Sequence, residues 1–317
     1  MKQGVWTVLQ IGLMIEGQNG LNWQRWQKLL ALAEELGFAF VFRSDHFTNA
    51  APPDQDSLEL WTSLTYAASH TQRIEFGSLV TPVTFRHPSI TARAAAAVDD
   101  LSNGRLVLGI GAGWQDREHH NFGIPFPPKA VRFEMLREYL EIVTRLLRNN
   151  EPVKYQGKHY ALDDAILLPR PRRPGGPSIL VGGNGKQRTL PLAALYADEW
   201  NAVFAGPEKL EQLEKHLDRL LHEAGRAREA VRRSVMIGTF LARSSRALEE
   251  RLESKQTTAE QSLESGVLIG TADSWAEQLQ RYASVGVQRI MLQWLDLDDL
   301  EGLRLVGQEV LPAFEAG

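Results

Sequence analysis

The sequence contains no cysteine, and this absence excludes disulfides, thiol nucleophiles and thiolate ligands for a metal. Its 35 basic and 39 acidic residues give a net charge of −4, without the positive excess typical of proteins that bind nucleic acid or anionic membranes. It also lacks an apolar run of membrane-spanning length and a charged head followed by an apolar segment. We therefore expect a cytoplasmic protein whose partners are small molecules.

The 317 residues, of which 43% are hydrophobic, are enough to bury a large core. The composition does not break along the chain, so we predict one domain that spans residues 1–317. Within it, a strand pair and a Pro/Arg-rich run make residues 149–177 an insertion. Residues 245–266 are polar and charged, and we expect this segment to be partly mobile.

Residues 73–114 predict a strand, a helix and a second strand. An apolar run ends at Thr81-Pro82, an alanine-rich segment begins at Pro88, and residues 106–110 are almost continuously apolar. Strand, helix and strand in this order are typical of a βαβ unit with parallel strands. In such proteins the loops after the strands carry the chemistry.

The same alternation continues along the chain. Eight strands are predicted, each followed by helical spacing, at residues 8–14, 38–42, 73–82, 106–110, 179–181, 198–202, 234–241 and 289–293. An open doubly wound sheet can alternate in this way too. Eight units without a break in composition favour an α/β fold of the (β/α)8 TIM-barrel type. Residues 115–129 are predicted as a loop, and residues 297–314 as the closing helix.

Asp45-His46 follows the second predicted strand directly. A carboxylate and an imidazole at that rim can orient a ring or move a proton. The alternative is a salt bridge in a loop or a helix cap. As a metal site the pair is weak, because adjacent side chains diverge, and His119-His120 lacks ligand spacing. We predict no metal.

Two glycine-rich segments follow predicted strands. Gly109-Ile-Gly111-Ala-Gly113 lacks the spacing of a dinucleotide fingerprint, which leaves a tight turn or the close approach of backbone to a flat cofactor. Gly182-Gly183-Asn184-Gly185 lies between a strand and a helix, with Lys186 and Arg188 nearby. Free main-chain N–H groups there predict an anion site, and the alternative is a structural turn.

The order of these motifs resembles the luciferase-like monooxygenase superfamily and, within it, the branch that depends on the deazaflavin coenzyme F-420. Nearly the whole chain takes part. The segments that carry the resemblance are residues 33–38, 44–46, 77–82, 87–88, 92–93, 101–114, 118–119, 122–123, 132, 182–185, 270–271 and 286–287.

The resemblance implies a TIM barrel whose strand ends bind a flavin or a deazaflavin. Ser78, Leu79, Val80 and Thr81 would form an irregular strand end under the ring, with one non-proline cis peptide. The outer helices would pair two subunits into a homodimer.

The same resemblance implies the remaining cofactor contacts. Gly111 and Gly113 would approach the ring, and residues 182–185 would hold the cofactor phosphate. Asp45 and His46 would lie at the ring, with His46 as the proton carrier and Asp45 orienting it or the cofactor.

Two features depart from the family pattern. Arg43 replaces an apolar or small residue, and residues 16–19 match no pattern that we can assign.

Three functions remain in competition. The first is an oxidoreductase that uses coenzyme F-420 for hydride transfer to or from a small organic substrate. The second is a monooxygenase that uses reduced FMN and oxygen; Asp45-His46 favours the deazaflavin over it. The third is a non-catalytic flavin-binding barrel, with a pocket blocked by Trp114 or Trp200. A metal-dependent hydrolase would need separated His and Asp residues at several strand ends, and only Asp45-His46 qualifies.

Overall fold

The computed structural model describes residues 9–314. The strands are, in chain order, β1 (Gln10–Ile15), β2 (Phe40–Arg43), β3 (Glu75–Ser78), β4 (Thr81–Pro82), β5 (Leu106–Gly111), β6 (Val153–Gln156), β7 (Ala161–Ala165), β8 (Ser178–Gly182), β9 (Glu199–Val203), β10 (Arg232–Leu241), β11 (Val267–Gly270) and β12 (Arg289–Trp294). The helices are α1 (Trp23–Leu36), α2 (Leu60–His70), α3 (Pro88–Leu101), α4 (Asp116–Asn121), α5 (Lys129–Arg148), α6 (Thr189–Tyr196), α7 (Pro207–Glu223), α8 (Ser245–Lys255), α9 (Ala259–Glu264), α10 (Ala272–Ser284) and α11 (Leu300–Leu305).

Eight parallel strands close into a barrel, which confirms the predicted TIM barrel. The order around it is β12, β1, β2, β3, β5, β8, β9 and β10, and β10 pairs back with β12. The short β4 pairs with β5, and β11 extends the sheet outside the barrel by pairing with the end of β10. The carboxyl ends of all eight strands therefore meet at one rim.

The strands are continuously hydrophobic in sequence because they lie between two apolar layers. The outer layer lies between the barrel and the helices and contains most of the core. The inner layer fills the barrel, and it is formed by Met14, Phe40, Phe42, Leu79, Val107, Leu180, Met236 and Met291. Because both faces of each strand are buried, neither face needs polar alternation.

Helix α1 shows how local signals set the bounds. The Asn22 side chain accepts a hydrogen bond from the Arg25 N–H, and Gly37 ends the helix in the left-handed region with φ of 84°. Leu29, Leu30 and Ala33 follow the helical period and are buried, as predicted. In the described part of the chain, no helix combines the length and the apolarity that a bilayer span demands.

Two predicted elements differ in the structure, and the start of a third cannot be compared. Residues 115–129 contain helix α4, whose polar sequence has no apolar period to reveal it. The closing helix is α only over α11, and continues as a π segment (Val306–Val310) and a 3-10 turn (Leu311–Phe314). Pro312 lacks an N–H, so a regular α pattern cannot continue through it. The predicted start of the first strand, Val8, lies outside the described residues.

The predicted insertion at residues 149–177 contains the antiparallel hairpin of β6 and β7. Glu138 of α5 holds the turn by accepting hydrogen bonds from the N–H groups of Lys158, His159 and Tyr160 at 2.8–3.1 Å. The hairpin thus docks against α5 on the outside of the barrel, and the Tyr160 hydroxyl approaches the Val83 carbonyl at 3.4 Å.

Candidate functional site

A cavity of about 730 Å³ opens at the carboxyl ends of the barrel strands. Residues that follow or end β1, β2, β3, β5, β8, β9 and β12 line it, together with the first turn of α5. This is the rim at which TIM barrels carry their active sites. Of the predicted site residues, His46, Leu79, Val80, Gly111, Gly113, Gly182 and Gly183 line this cavity.

His46 lines the cavity and is held by Glu118. Its Nδ1 lies 2.8 Å from the Glu118 Oε1, and the second carboxylate oxygen accepts the Phe47 N–H at 2.8 Å. Burial opposes protonation of the ring, but the hydrogen bond and charge of Glu118 outweigh it and raise the pKa of His46. With Nδ1–H donated to the carboxylate, the neutral ring keeps Nε2 as a base.

Sequence reasoning did not assign Glu118 to the site. It lies 72 residues after His46, on the short helix α4, which has no apolar periodicity from which it could be predicted. The sequence does place Glu118-His119 in the order of motifs shared with the family. That order does not indicate that Glu118 contacts His46.

Asp45 does not line the cavity, although it was predicted at the ring. Its carboxylate is buried and accepts hydrogen bonds from Arg86 Nη1 at 2.5 Å and from the Thr81 hydroxyl at 2.7 Å. Burial raises the pKa of Asp45, against the opposing charge and hydrogen bond of Arg86 and the bond from Thr81. The group that orients His46 is therefore Glu118, because adjacent side chains at the end of β2 point to different sides.

The end of β3 is irregular, as predicted. The peptide bond between Leu79 and Val80 is cis, which confirms the expectation of one non-proline cis peptide in this segment. The Ser78 hydroxyl donates to the Gly109 carbonyl at 2.8 Å and accepts the Gly109 N–H at 3.0 Å. Leu79 and Val80 line the cavity, whereas Ser78 and Thr81 are buried behind it.

The glycines of β5 make room for this segment. A Cβ on Gly109 would lie 2.0 Å from the Ser78 carbonyl oxygen, and one on Gly111 would lie 2.5 Å from Val80 Cγ2. These glycines are therefore required by the close approach of β3, in addition to any role toward a ligand.

Two predicted obstructions leave the cavity open. Trp200 is fully buried and donates its indole N–H to the Gly183 carbonyl at 2.9 Å. Trp114 is 64% exposed at the cavity mouth, with its ring edge-on to His46 at 5.3 Å. The blocked pocket expected for a non-catalytic barrel is therefore not what the structure shows.

The loop after β8 differs in detail from the predicted phosphate site. The Gly183 N–H donates to the Asn201 carbonyl at 2.8 Å, and helix α6 begins only at Thr189. Among the described residues, the main-chain N–H groups of residues 184–188 donate to no protein acceptor. We call residues 184–188 the anion loop; its free donors lie a few residues later than predicted.

Asn184 and Gly185 have different tasks in this loop. The Asn184 side chain donates to the Val203 carbonyl at 2.7 Å and accepts the Val203 N–H at 2.9 Å, so it fixes the loop. Gly185 lines a second, more open cavity of about 520 Å³, together with Lys186, Arg188 and Lys129. Within residues 9–314 these three cations form no ion pair with a carboxylate of the chain.

Polar residues that the sequence did not single out lie on the opposite side of the cavity. Glu16 Oε1 accepts from Gln293 Nε2 at 2.8 Å, and Glu16 Oε2 accepts from Gln18 Nε2 at 3.0 Å. The Ser44 hydroxyl donates to Gln18 Oε1 at 2.7 Å. Glu16, Gln18 and Ser44 come from the ends of β1 and β2, and Gln293 from β12, which are neighbours in the barrel but distant in sequence.

Arg43, the departure from the family pattern, is fully buried next to this group. Its guanidinium donates to the Leu58 carbonyl and the Ser63 hydroxyl at 2.7 Å each, and burial lowers its pKa to about 10. It therefore has a packing role under Gly17, outside the cavity lining. No group of three or more His, Asp or Glu side chains within the described residues converges to hold a metal.

Comparisons with known proteins agree with this geometry. The family model described as luciferase-like monooxygenase matches residues 1–260. An F-420-dependent glucose-6-phosphate dehydrogenase of Microbacterium testaceum is 28% identical over 308 residues, which cover 89% of this chain and 90% of the relative.

Two solved structures share the fold. An F-420-dependent secondary alcohol dehydrogenase, in complex with an F-420–acetone adduct, superposes with a TM-score of 0.83 at 21% identity and covers 97% of this chain and 99% of its own. A monooxygenase from Streptomyces bottropensis superposes with a TM-score of 0.79 at 21% identity, over 97% of this chain and 100% of its own. At these identities the likeness concerns the fold.

Proposed function

Because the chain belongs to the luciferase-like monooxygenase family, we propose that it is an oxidoreductase that uses the deazaflavin coenzyme F-420 to move a hydride to or from a small organic substrate. The name of the Microbacterium relative supports the choice of cofactor. The observation that carries the proposal is the His46–Glu118 pair at the cavity wall, which supplies a positioned base.

The residues present fit this cofactor. An anionic group would meet N–H donors of the anion loop and the cations Lys129, Lys186 and Arg188, none of which has a partner of its own among residues 9–314. Arg132 adds a buried guanidinium to the cavity wall, and its Nε has no partner among the described residues. A flat ring would rest against Leu79 and Val80. When bound, the deazaflavin supplies hydride acceptance or donation.

His46 and Glu118 would perform the proton chemistry. As an alcohol is oxidised, His46 Nε2 takes the hydroxyl proton, and the Glu118 carboxylate stabilises the resulting imidazolium. In the reverse direction, the imidazolium returns the proton to the carbonyl oxygen. General acid–base help of this kind contributes about 100- to 10,000-fold in rate.

Anaerobic titration of the purified protein with F-420 and with FMN, in both redox states, tests the proposal. We expect tight binding of F-420, followed by loss of its visible absorbance with a substrate. Tighter binding of FMN together with oxygen-dependent turnover would instead make the protein a flavin monooxygenase. Binding of a cofactor without turnover of any substrate would favour the non-catalytic barrel.

The phosphate assignment has its own test. Gly183→Asp places a carboxylate beside the anion loop, at a position whose φ of 122° also favours glycine. We expect weaker F-420 binding by at least about tenfold, in line with the cost of juxtaposed like charges. Arg188→Glu changes the charge without that backbone constraint, and unchanged affinity in both variants would remove the loop from consideration.

A further inference from the structure

The cavity has two sides with different chemistry. Over β3, β5 and β8 its lining is mostly backbone, glycine and aliphatic side chain, such as Val80, Gly111 and Gly182. Over β12, β1 and β2 it is lined by Glu16, Gln293 and other polar side chains. His46 follows β2, which separates β1 from β3 in the barrel. If the cofactor occupies the first side, as the proposed function requires, the substrate lies on the second, beside His46.

The second side presents unused hydrogen-bond acceptors. Each Glu16 carboxylate oxygen accepts a single amide N–H, and no Lys, Arg or His side chain of the described chain lies within ion-pair distance of it. The Oε1 of Gln293 accepts no hydrogen bond from the residues described. We call Glu16 and Gln293 the acceptor cluster.

Asn201 of β9 carries a further acceptor, which is buried in the wall between the two sides. Its side chain is fully buried and lines the cavity, yet its Oδ1 has no hydrogen-bond partner within residues 9–314. Its Nδ2 donates to the Ser234 hydroxyl at 3.0 Å, and that hydroxyl in turn donates to the Trp200 carbonyl at 3.2 Å. These two bonds fix the amide orientation, and because Oδ1 is itself buried, a ligand in the cavity does not reach it in this conformation.

Within residues 9–314, His46, at which the reacting hydroxyl is expected, is the one group on this side that can compensate a negative charge. The basic residues of the lining, apart from His46, are Lys129 and Arg132, and both come from α5 next to the anion loop. Arg43 is buried outside the lining, and Arg243 is paired with Asp299 at 2.6 Å. A phosphate or carboxylate placed here, away from the reacting hydroxyl at His46, would face the Glu16 carboxylate.

We propose that the substrate is an uncharged polyhydroxylated alcohol without phosphate or carboxylate groups. One hydroxyl lies at His46, and the others donate to the acceptor cluster. Phe204 and Met236 supply apolar wall for the C–H faces. On oxidation the hydroxyl proton passes to His46, the hydride of the same carbon passes to oxidised F-420, and the carbon becomes a carbonyl.

The test is a panel of matched pairs, each a free polyol and its phosphate ester: glucose with glucose-6-phosphate, and glycerol with glycerol-3-phosphate. 2-Propanol is the alcohol with no further donors. Reduction of F-420 is followed by its loss of absorbance. We expect the free polyol to exceed its ester in kcat/KM by at least about tenfold. A preferred ester, a preferred 2-propanol, or no turnover by a protein that binds F-420 would each overturn the proposal.

The variant Glu16→Gln tests whether the acceptor cluster causes the preference for the free polyol over its phosphate ester. The amide keeps the shape and removes the charge, so the KM for the polyol should rise and its preference over the ester should fall, each roughly tenfold. F-420 affinity should not change. Glu229→Gln is the matched control, because Glu229 is exposed and precedes β10 at the opposite end of the barrel. An unchanged preference in Glu16→Gln would overturn the assignment.

Ligand-observed NMR with glucose and glucose-6-phosphate on the cofactor-free protein separates this proposal from the proposed function. Failure to bind F-420 rejects the cofactor but leaves the preference for free glucose measurable. Binding of F-420 together with a preference for the ester rejects the substrate class alone.

Discussion

Replacing Glu118 by glutamine tests directly whether Glu118 holds His46 as a base. The carboxylate is 1% exposed and accepts two hydrogen bonds at 2.8 Å, from His46 Nδ1 and from the Phe47 N–H. A glutamine has one acceptor oxygen for these two donors. If that oxygen keeps Phe47, the amide NH₂ donates to His46 Nδ1. The proton of the neutral ring then moves to Nε2, which ceases to be a base.

The magnitude follows from the bonds that are lost. A hydrogen bond to a charged group contributes about 1.5–3 kcal/mol, and each 1.4 kcal/mol corresponds to a factor of ten. We therefore expect kcat/KM to fall by about 10- to 100-fold. Since Glu118 raises the pKa of His46, its loss lowers that pKa. Activity that depends on the neutral ring should then begin at a lower pH in the variant.

The assay is the pH dependence of F-420 reduction, from about pH 5 to about pH 9, with the melting temperature and F-420 affinity measured alongside. Glu134→Gln is the matched control, because Glu134 of α5 also contacts a histidine, His159 at 3.2 Å, but lies outside the cavity lining. An acid limb at the same pH in wild type and Glu118→Gln would refute the coupling, whatever the loss in rate.

His46→Ala should lower turnover by at least about tenfold while F-420 affinity stays the same; a variant that loses melting temperature but keeps its turnover would show a packing role instead. Gly109→Ala should lower the free energy of unfolding in urea by about 1–3 kcal/mol, because the new Cβ meets the Ser78 carbonyl. Burial raises the pKa of Glu214 to about 7, against Arg233 and Arg228. The stability this contributes is complete below the unfolded pKa and is lost as the pH rises through 7, so wild type should lose up to about 3 kcal/mol more than Glu214→Gln between pH 5 and 8.

The barrel could be predicted from the sequence because its signals are local. Apolar runs, caps such as Asn22 and breaks such as Gly37 each act within a few residues, and eight repeats of one pattern leave few topologies. Helix α4 was missed for the same reason, because six polar residues carry no period.

Site residues could be predicted from the sequence only where they directly follow a predicted strand. His46 and the cis segment follow strands directly, so their position at the rim follows from the fold. Glu118, Glu16 and Gln293 reach the cavity from elements far apart in sequence, and no spacing rule pairs them. Asp45 is the converse case. It is next to His46 in sequence, but its side chain points to Arg86 instead.

The Asn184 side chain connects the anion loop to the segment after β9. Its amide bonds to both the N–H and the carbonyl of Val203, and the next residue, Phe204, lines the cavity with a φ of 46°. Because this amide connects the anion loop to Phe204, we expect an anion bound at the loop to restrict Phe204 further, so that a second ligand against Phe204 loses less entropy on binding. Linkage makes this reciprocal, so cofactor and polyol should bind with positive cooperativity, and F-420 affinity should increase when the polyol is present.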